Sequence, residues 1–169
     1  DWFDDCALVL RYDRLPVHSL MPQLGATGFY LRAARALRAL LRSGACAGDD
    51  LWITGTLGDA AGALRQWQAG KAIDSALRAR LDRPTPRLAA GRALAGIAHA
   101  CIDVSDGLLA DLGHVCRASR VGVEVDVDAL PSSEALHAAF DPASRRELQT
   151  AGGDDYELCF TAPKTARLA

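Results

Sequence analysis

Short apolar runs alternate with Ala- and Leu-rich segments along most of this chain, and Gly or Pro turns separate them. The short runs are typical of strands, whereas the longer segments have the spacing of helices. Strands interleaved with helices predict an α/β (α+β) fold, in which a mixed sheet is covered by helices. The predicted strands are 6–10, 51–54, 100–103, 121–127 and 156–161. The predicted helices are 29–41, one from about residue 60, one that ends before 83–87, 88–99, 108–118, 133–140 and 144–149.

The composition fits a globular domain and argues against several classes of function. Half of the 169 residues are hydrophobic and the formal net charge is -2; with no Lys- and Arg-rich stripe, a nucleic acid partner is not expected. No apolar run approaches the length of a membrane span and the acidic start is unlike a signal peptide, so we expect a cytoplasmic protein with no membrane partner. The five cysteines form no Cys-x-x-Cys pair, which gives zinc chemistry little support and favours reduced thiols.

An acidic turn follows the predicted strand 100–103. Asp103 ends that strand, and Asp106 follows it across a turn that contains Ser105 and Gly107. Carboxylates at a strand end lie where ligands commonly bind in α/β proteins, and two of them could converge on Mg²⁺, which prefers oxygen ligands. The alternative is a helix cap, in which Asp106 caps the helix that follows while Ser105 or Asp103 bonds locally.

Two further acidic pairs have the same ambiguity. Asp154 and Asp155 follow two glycines, so a loop could present both to a cationic ligand or a metal, or the segment could be a solvated turn. Asp4 and Asp5 precede the apolar run 6–10, and their alternative is a frayed acidic terminus. Neither pair identifies a site by its own pattern.

Other patterns favour structural roles. Residues 55–59 join a predicted strand to a predicted helix but match neither standard nucleotide-binding motif, so a structural turn is favoured over a phosphate site. The basic residues of helix 29–41 share one face, which is typical of a solvated stripe. No Ser, His and acid form a recognisable nucleophile motif, so covalent catalysis is not expected.

Several of these segments occur in the same order in a known family, the thiamine-monophosphate kinases of the aminoimidazole-ribonucleotide-synthetase-like superfamily. The segments are 41–45, 52–62, 83–87, 102–108, 111–114 and 152–158. Residues 4–8 also resemble the family's early Gly-Asp-Asp-Cys-Ala segment, and from about residue 38 to residue 163 the resemblance is nearly continuous. An ordered series of this kind is more specific than any single motif.

The resemblance implies a function and a set of site residues. Members of the family transfer the γ-phosphoryl group of ATP to thiamine monophosphate, which gives thiamine diphosphate, and they form homodimers that use Mg²⁺. The implied Mg²⁺ ligands are Asp5, Asp103 and Asp106. Asp106 would also be the catalytic residue, Arg42 and Ser105 would contact ATP, and Asp154 would contact the thiamine substrate.

The resemblance also implies domain boundaries. Residues 1–44 would be a remnant of the family's amino-terminal ATP-binding domain, and residues 45–169 would be its carboxyl-terminal α/β domain, incomplete at the end. Asp5 and Arg42 are separated by far fewer residues than the family has there, on the order of 100. Two alternatives therefore stay open: a non-catalytic homologue that binds a nucleotide or a partner, or another ATP-dependent enzyme of the superfamily.

Overall fold

A computed structural model describes the fold over residues 39–168. Three strands and six helices follow one another along this part of the chain. The strands are β1 (Asp50–Ile53), β2 (Ala100–Val104) and β3 (Glu157–Ala162). The helices are α1 (Asp59–Gln68), α2 (Ser75–Asp82), α3 (Leu88–Leu94), α4 (Leu108–Ser119), α5 (Glu134–Ala139) and α6 (Pro142–Ala151). Short 3₁₀ helices cover Val127–Ala129 and Lys164–Leu168.

The three strands form one sheet with the order β1-β3-β2. Both neighbours pair with β3 in the antiparallel direction, so that Cys159 lies opposite Ile53 on one side and opposite Ile102 on the other. The predicted α/β (α+β) arrangement of helices against a sheet is confirmed. The strands expected at 51–54, 100–103 and 156–161 are present, with ends that differ by at most one residue.

The main core joins the sheet to α4. Three buried side chains of α4, spaced at four and three residues, lie on one helix face and contact the buried apolar side chains of β2 and β3. These residues are Leu108, Leu112 and Val115 of α4 with Ile102, Val104 and Cys159 of the strands. Each fully buried Leu or Val stabilises the fold by about 1.5–3 kcal/mol. This core fixes the end of β2 relative to the start of α4, between which the acidic turn lies.

A second core cluster holds four of the helices together. Its buried members are Ala63 of α1, Leu77 of α2, Leu136 of α5 and Leu148 of α6. The two weakest predicted helices, 133–140 and 144–149, are confirmed as α5 and α6, and the side chains of Ser133 and Asp141 cap their first turns. Within residues 39–168, no helix is both long enough and apolar enough to cross a membrane.

Three predicted elements differ from the structure. The strand expected at 121–127 is wrong, because this extended segment has no strand partner among the described residues and turns into a 3₁₀ helix at Val127. Its valines do not share one environment either: Val121 and Val125 pack on the main core, whereas Val123 is 47% exposed. The helix expected at 88–99 ends at Leu94, before a turn that contains Gly96 at a positive φ. Residues 39–41, the described end of predicted helix 29–41, are not helical.

Candidate active site

The acidic turn after β2 is held by a carboxylate of the helix that follows it. Asp111 is buried in the first turn of α4, and its Oδ2 accepts hydrogen bonds from the backbone N–H groups of Ser105 and Asp106 at 2.9 and 3.0 Å. Burial raises the pKa of Asp111 in spite of these donors, and the charges of Asp103 and Asp106 add to the rise. Asp111 therefore fixes the backbone of the turn and leaves the side chains of Asp103 and Asp106 free to point elsewhere.

The helix-cap alternative for this turn is wrong. The N-cap of α4 is Gly107, and no side chain makes a capping hydrogen bond there. Asp106 is exposed and Asp103 is half-buried. Their carboxylates accept no hydrogen bond from another residue in the part of the chain that the structure describes. The oxygens of both side chains are therefore available to a ligand.

The second acidic segment, residues 152–156, lies directly against this turn. The N–H of Asp154 donates to the carbonyl of Ser105, and the N–H of Tyr156 donates to the carbonyl of Val104, each at 2.9 Å. Asp154 and Tyr156 have φ angles of 66° and 51°, a left-handed conformation that residues other than Gly seldom adopt. The backbone is therefore bent to follow the turn, and two segments far apart in sequence meet.

Tyr156 lies beside Asp154, one of the three carboxylates that the sequence implicates. Its hydroxyl oxygen lies 3.3 Å from Oδ1 of Asp154. Burial of the Tyr156 side chain, together with the negative charges of Asp154, Asp103 and Asp106, raises the pKa of its hydroxyl. The backbone hydrogen bonds to Ser105 and Val104 hold the segment of Asp154 against the turn that carries Asp103 and Asp106. Sequence alone gives Tyr156 only the role of a strand residue.

Gly153 allows this close approach, because a Cβ at its position would lie 2.6 Å from the carbonyl oxygen of Ser105. We expect Gly153→Ala to push the two segments apart and to lower the free energy of unfolding by about 1–3 kcal/mol. Chemical unfolding measures this loss. Gly122→Ala is the matched control, since nothing lies within 4 Å of a Cβ there. Equal stability of the two variants would contradict the close contact.

Asp155 has the opposite environment from its neighbour Asp154. Asp154 is exposed, whereas Asp155 is 2% exposed, and its Oδ2 accepts the N–H of Gly58 at 2.8 Å, at the N-terminus of α1. The expectation that one loop presents both acids is therefore wrong for Asp155. Because the turn before α1 donates to Asp155, residues 55–59 have the structural role that their sequence favours.

Burial raises the pKa of Asp155 to about 7. The charge of Asp59 adds to the rise, while the N–H groups of Gly58 and Ala60 and the charge of Arg80 oppose it. An unfolded chain releases this proton near pH 3.8. The folded chain keeps the proton over the range between these values, so the contribution of Asp155 to stability falls as the pH rises from about 4 to about 7.

We expect Asp155→Asn to remove this part of the pH dependence. Between pH 5 and pH 7, an interval of about two pH units, the contribution of Asp155 to the free energy of unfolding should fall by about 3 kcal/mol. Urea unfolding between about pH 5 and about pH 8 measures the difference in slope. The exposed Asp82→Asn should keep the parental slope, and an Asp155→Asn variant that also kept it would show that Asp155 is ionised in the folded chain.

A buried charge network lies beside the site, and the sequence alone does not predict it. Glu157, the first residue of β3, is fully buried. Its Oε1 accepts Nη2 of Arg80, and its Oε2 accepts Nε of Arg87 and Oγ1 of Thr54, each at 2.6 Å. Arg87 also donates through Nη2, which makes its contact bidentate. The network ties α2 and the start of α3 to the sheet directly after the site residues 154–156.

The structure does not place two predicted site residues, Asp5 and Arg42, beside Asp103 and Asp106. Asp5 lies outside the described residues, so its metal role stays a prediction. The carbonyl of Arg42 accepts a hydrogen bond from the hydroxyl of Ser119, at the C-terminal end of α4, whereas Ser105 precedes the N-terminal end of that helix. A 12-residue helix is about 18 Å long, so the structure does not bring the backbone of Arg42 near Ser105. Its contact with ATP stays a prediction.

The chain is similar to known proteins over most of its described length. Residues 47–164 match the C-terminal domain of AIR synthase related proteins. The thiamine-monophosphate kinase of Salmonella typhimurium (strain LT2) is 47% identical over 149 residues, which are 85% of this chain and 45% of that protein. The crystal structure of thiamine-monophosphate kinase from Stenotrophomonas maltophilia K279a has a TM-score of 0.73 and 52% identity, covering 77% of this chain and 44% of that one.

A third similar structure is that of AaThiL complexed with AMPPCP and TMP, with a TM-score of 0.69 and 35% identity over 75% of this chain and 43% of that one. The chain spans less than half the length of each of these relatives. The matched domain, residues 47–164, includes the acidic turn, the segment 152–156 and the sheet that joins them. The chain therefore belongs to the AIR synthase related proteins and carries their C-terminal domain, over which it is similar to thiamine-monophosphate kinases.

Proposed function

We propose that this chain takes part in the ATP-dependent phosphorylation of thiamine monophosphate to thiamine diphosphate. One observation carries the proposal: backbone hydrogen bonds hold the segment of Asp154 against the turn of Asp103 and Asp106, and the carboxylates of Asp103 and Asp106 accept no hydrogen bond from another described residue. Carboxylates that lack a hydrogen-bond partner among the described residues are suited to metal ions and cationic ligands. The names of the relatives, thiamine-monophosphate kinases, support this reaction.

The proposed reaction suits a site whose described residues offer carboxylates but no strong general base. The acceptor is a phosphate monoester, whose second pKa is about 6, so its oxygen is already largely ionised at neutral pH and needs no strong general base. Two described histidines are engaged elsewhere, since His99 contacts Asp49 and His114 contacts Arg117. The remaining difficulty is the repulsion between ATP and thiamine monophosphate, which are both anions. A site that positions the phosphate oxygens and neutralises their charge reduces this repulsion.

The donor set at the end of β2 fits Mg²⁺. Asp103 and Asp106 offer carboxylate oxygens only, which is the ligand type that Mg²⁺ prefers, and Asp5 would supply a third. When bound, Mg²⁺ would neutralise charge on the phosphate oxygens. Asp111 holds the turn that carries these carboxylates, and the half-buried Ser105 in that turn would contact ATP.

Asp154 is the residue we assign to the thiamine substrate. Asp154 is exposed, its Oδ1 lies 3.3 Å from the hydroxyl of Tyr156, and its N–H donates to the turn that carries Asp103 and Asp106. The thiazolium ring of thiamine carries a positive charge, so a carboxylate at this place would bind it while the phosphate lies toward the metal ligands. The homodimer of the family and a cytoplasmic location stay predictions.

A second candidate function is binding without turnover. The separation of the Arg42 backbone from Ser105 favours it. In that case the chain would bind a nucleotide or a partner through the same fold. The two candidates make different predictions in one assay.

The test is to incubate the purified 169-residue chain with ATP, Mg²⁺ and thiamine monophosphate and to separate thiamine from its phosphates by chromatography. We expect thiamine diphosphate to form, to require all three components, and not to form when unphosphorylated thiamine replaces the monophosphate. A folded chain that binds an ATP analogue but forms no thiamine diphosphate would exclude the kinase function for this chain and support the second candidate.

A further inference from the structure

A second cluster of potential metal ligands lies at the opposite end of β2 from the carboxylate cluster. Cys46, Asp49 and His99 offer a thiol sulfur, a carboxylate oxygen and an imidazole nitrogen, and these three atoms lie within 4.8 Å of one another. His99 directly precedes β2, whereas Asp103 lies near its end. Four strand residues span about 13 Å, so this cluster is separate from the proposed active site.

The carboxylate at the centre of the cluster is already fixed. The side chain of Asp49 is 7% exposed, and its Oδ2 accepts the N–H of Cys46 at 2.9 Å. Its two oxygens lie 3.0 and 2.9 Å from Nδ1 of His99. The N–H of Asp49 donates to the carbonyl of Cys46 at 3.1 Å, so two hydrogen bonds between these residues hold the turn. Burial favours the neutral acid, but these hydrogen bonds outweigh it and hold the pKa of Asp49 below its usual value.

The spacing of the donor atoms is close to that of a tetrahedral site. Zn²⁺ binds nitrogen and oxygen at about 2.0–2.1 Å, which places two such ligands about 3.3 Å apart. Nδ1 of His99 and the Asp49 oxygens are 2.9–3.0 Å apart, so a small opening would admit the ion. The third ligand can adapt, because Cys46 is exposed and its thiol makes only a weak 3.4 Å contact with the carbonyl of Gly44.

We propose that Cys46, Asp49 and His99 bind Zn²⁺, with water in the fourth position. A thiolate and an imidazole select a borderline-soft cation such as zinc over Mg²⁺, which prefers oxygen. On binding, the thiol of Cys46 releases its proton and the sulfur bonds to the metal, and the Nδ1 proton of His99 that faces Asp49 moves to Nε2 or to solvent so that Nδ1 can bond to it as well. The ion would clamp the turn 46–49, which leads into β1, to His99, the residue before β2. None of these residues belongs to the proposed active site, so each proposal can fail without the other.

The test uses Co²⁺ as a spectroscopic probe on the reduced, chelator-treated 169-residue chain. We expect one equivalent of Co²⁺ to produce a thiolate-to-cobalt charge-transfer band in the near ultraviolet, together with the visible bands of tetrahedral cobalt. Zn²⁺ should abolish both, whereas excess Mg²⁺ should not. Cys46→Ser should lose the charge-transfer band, and His99→Gln should lower the affinity for Co²⁺ at least about 10-fold.

Cys116→Ser is the matched control, because Cys116 is a described, partly exposed free cysteine outside the cluster, and this variant should keep the band. Zn²⁺ should also raise the thermal midpoint of the parent chain and leave that of His99→Gln unchanged. A folded parent chain without the charge-transfer band would overturn the site. A band that persists in Cys46→Ser would assign the metal to other residues and would also overturn it.

Discussion

Asp106→Asn should lower the formation of thiamine diphosphate at least about 100-fold, as expected when a group that stabilises charge in the transition state is lost. Asparagine keeps the shape of the side chain but removes the negative charge that a metal ion needs. The fold should not change, because Asp106 is exposed and its carboxylate accepts no hydrogen bond from another described residue. The free energy of unfolding should therefore stay within about 0.5 kcal/mol of the parent value.

Glu124→Gln is the matched control for this experiment, since Glu124 is an exposed acid outside the carboxylate cluster. It removes the same charge from the chain and should leave turnover unchanged. The measurement is the initial rate of thiamine diphosphate formation at saturating ATP. Substantial turnover in Asp106→Asn would exclude the metal-binding and catalytic role that we assign to this carboxylate.

Glu157→Gln should lower the free energy of unfolding by about 3 kcal/mol, because it leaves two guanidinium groups beside a neutral side chain in a buried place. Removing one partner of a buried ion pair costs about 3–5 kcal/mol. We expect the lower end of this range, since the Arg80 and Arg87 side chains retain 20% and 29% exposure and water can solvate them in part. Urea unfolding at neutral pH measures the loss.

The control is Glu147→Gln, which breaks an ion pair between Glu147 and Arg65 on the surface. Both of those side chains are well exposed, so the loss should stay below about 1 kcal/mol. Similar losses for the two variants would mean that burial does not strengthen the Glu157 network. If Glu157→Gln does not fold, Arg87→Met provides a second measurement, because it removes the two hydrogen bonds that Arg87 donates and leaves Glu157 paired with Arg80 and Thr54.

Local patterns predict most of the secondary structure because each confirmed element carries its own signal. Ser133 and Asp141 are residue types that commonly cap helices, and the structure shows both making capping hydrogen bonds. The segment 121–127 shows where this reasoning fails. Its alternation fits a strand, but a strand forms only beside a partner, and alternation within one segment does not reveal whether a partner exists.

The contacts between the predicted site residues could not be derived from the sequence, and their roles stay predictions. The family resemblance indicates Asp103, Asp106 and Asp154, but only the pairing of β2 with β3 shows why they meet. The structural roles of Asp155 and Glu157 were harder to predict. Both lie in the same motif as Asp154, and nothing in their spacing distinguishes a buried carboxylate from an exposed one. His99 and Asp49 lie 50 positions apart, so their contact has no local signal at all.

The most direct test of the proposed site is to map ligand binding on the 169-residue chain by nuclear magnetic resonance, independently of turnover. Thiamine monophosphate, Mg²⁺ and a non-hydrolysable ATP analogue are added to the ¹⁵N-labelled chain. We expect the largest shifts at the backbone amides of residues 103–107 and 152–156, and we expect Asp154→Asn to lose the shifts that thiamine monophosphate causes. Saturable binding that leaves both segments unshifted, or no binding by the folded chain, would contradict the site.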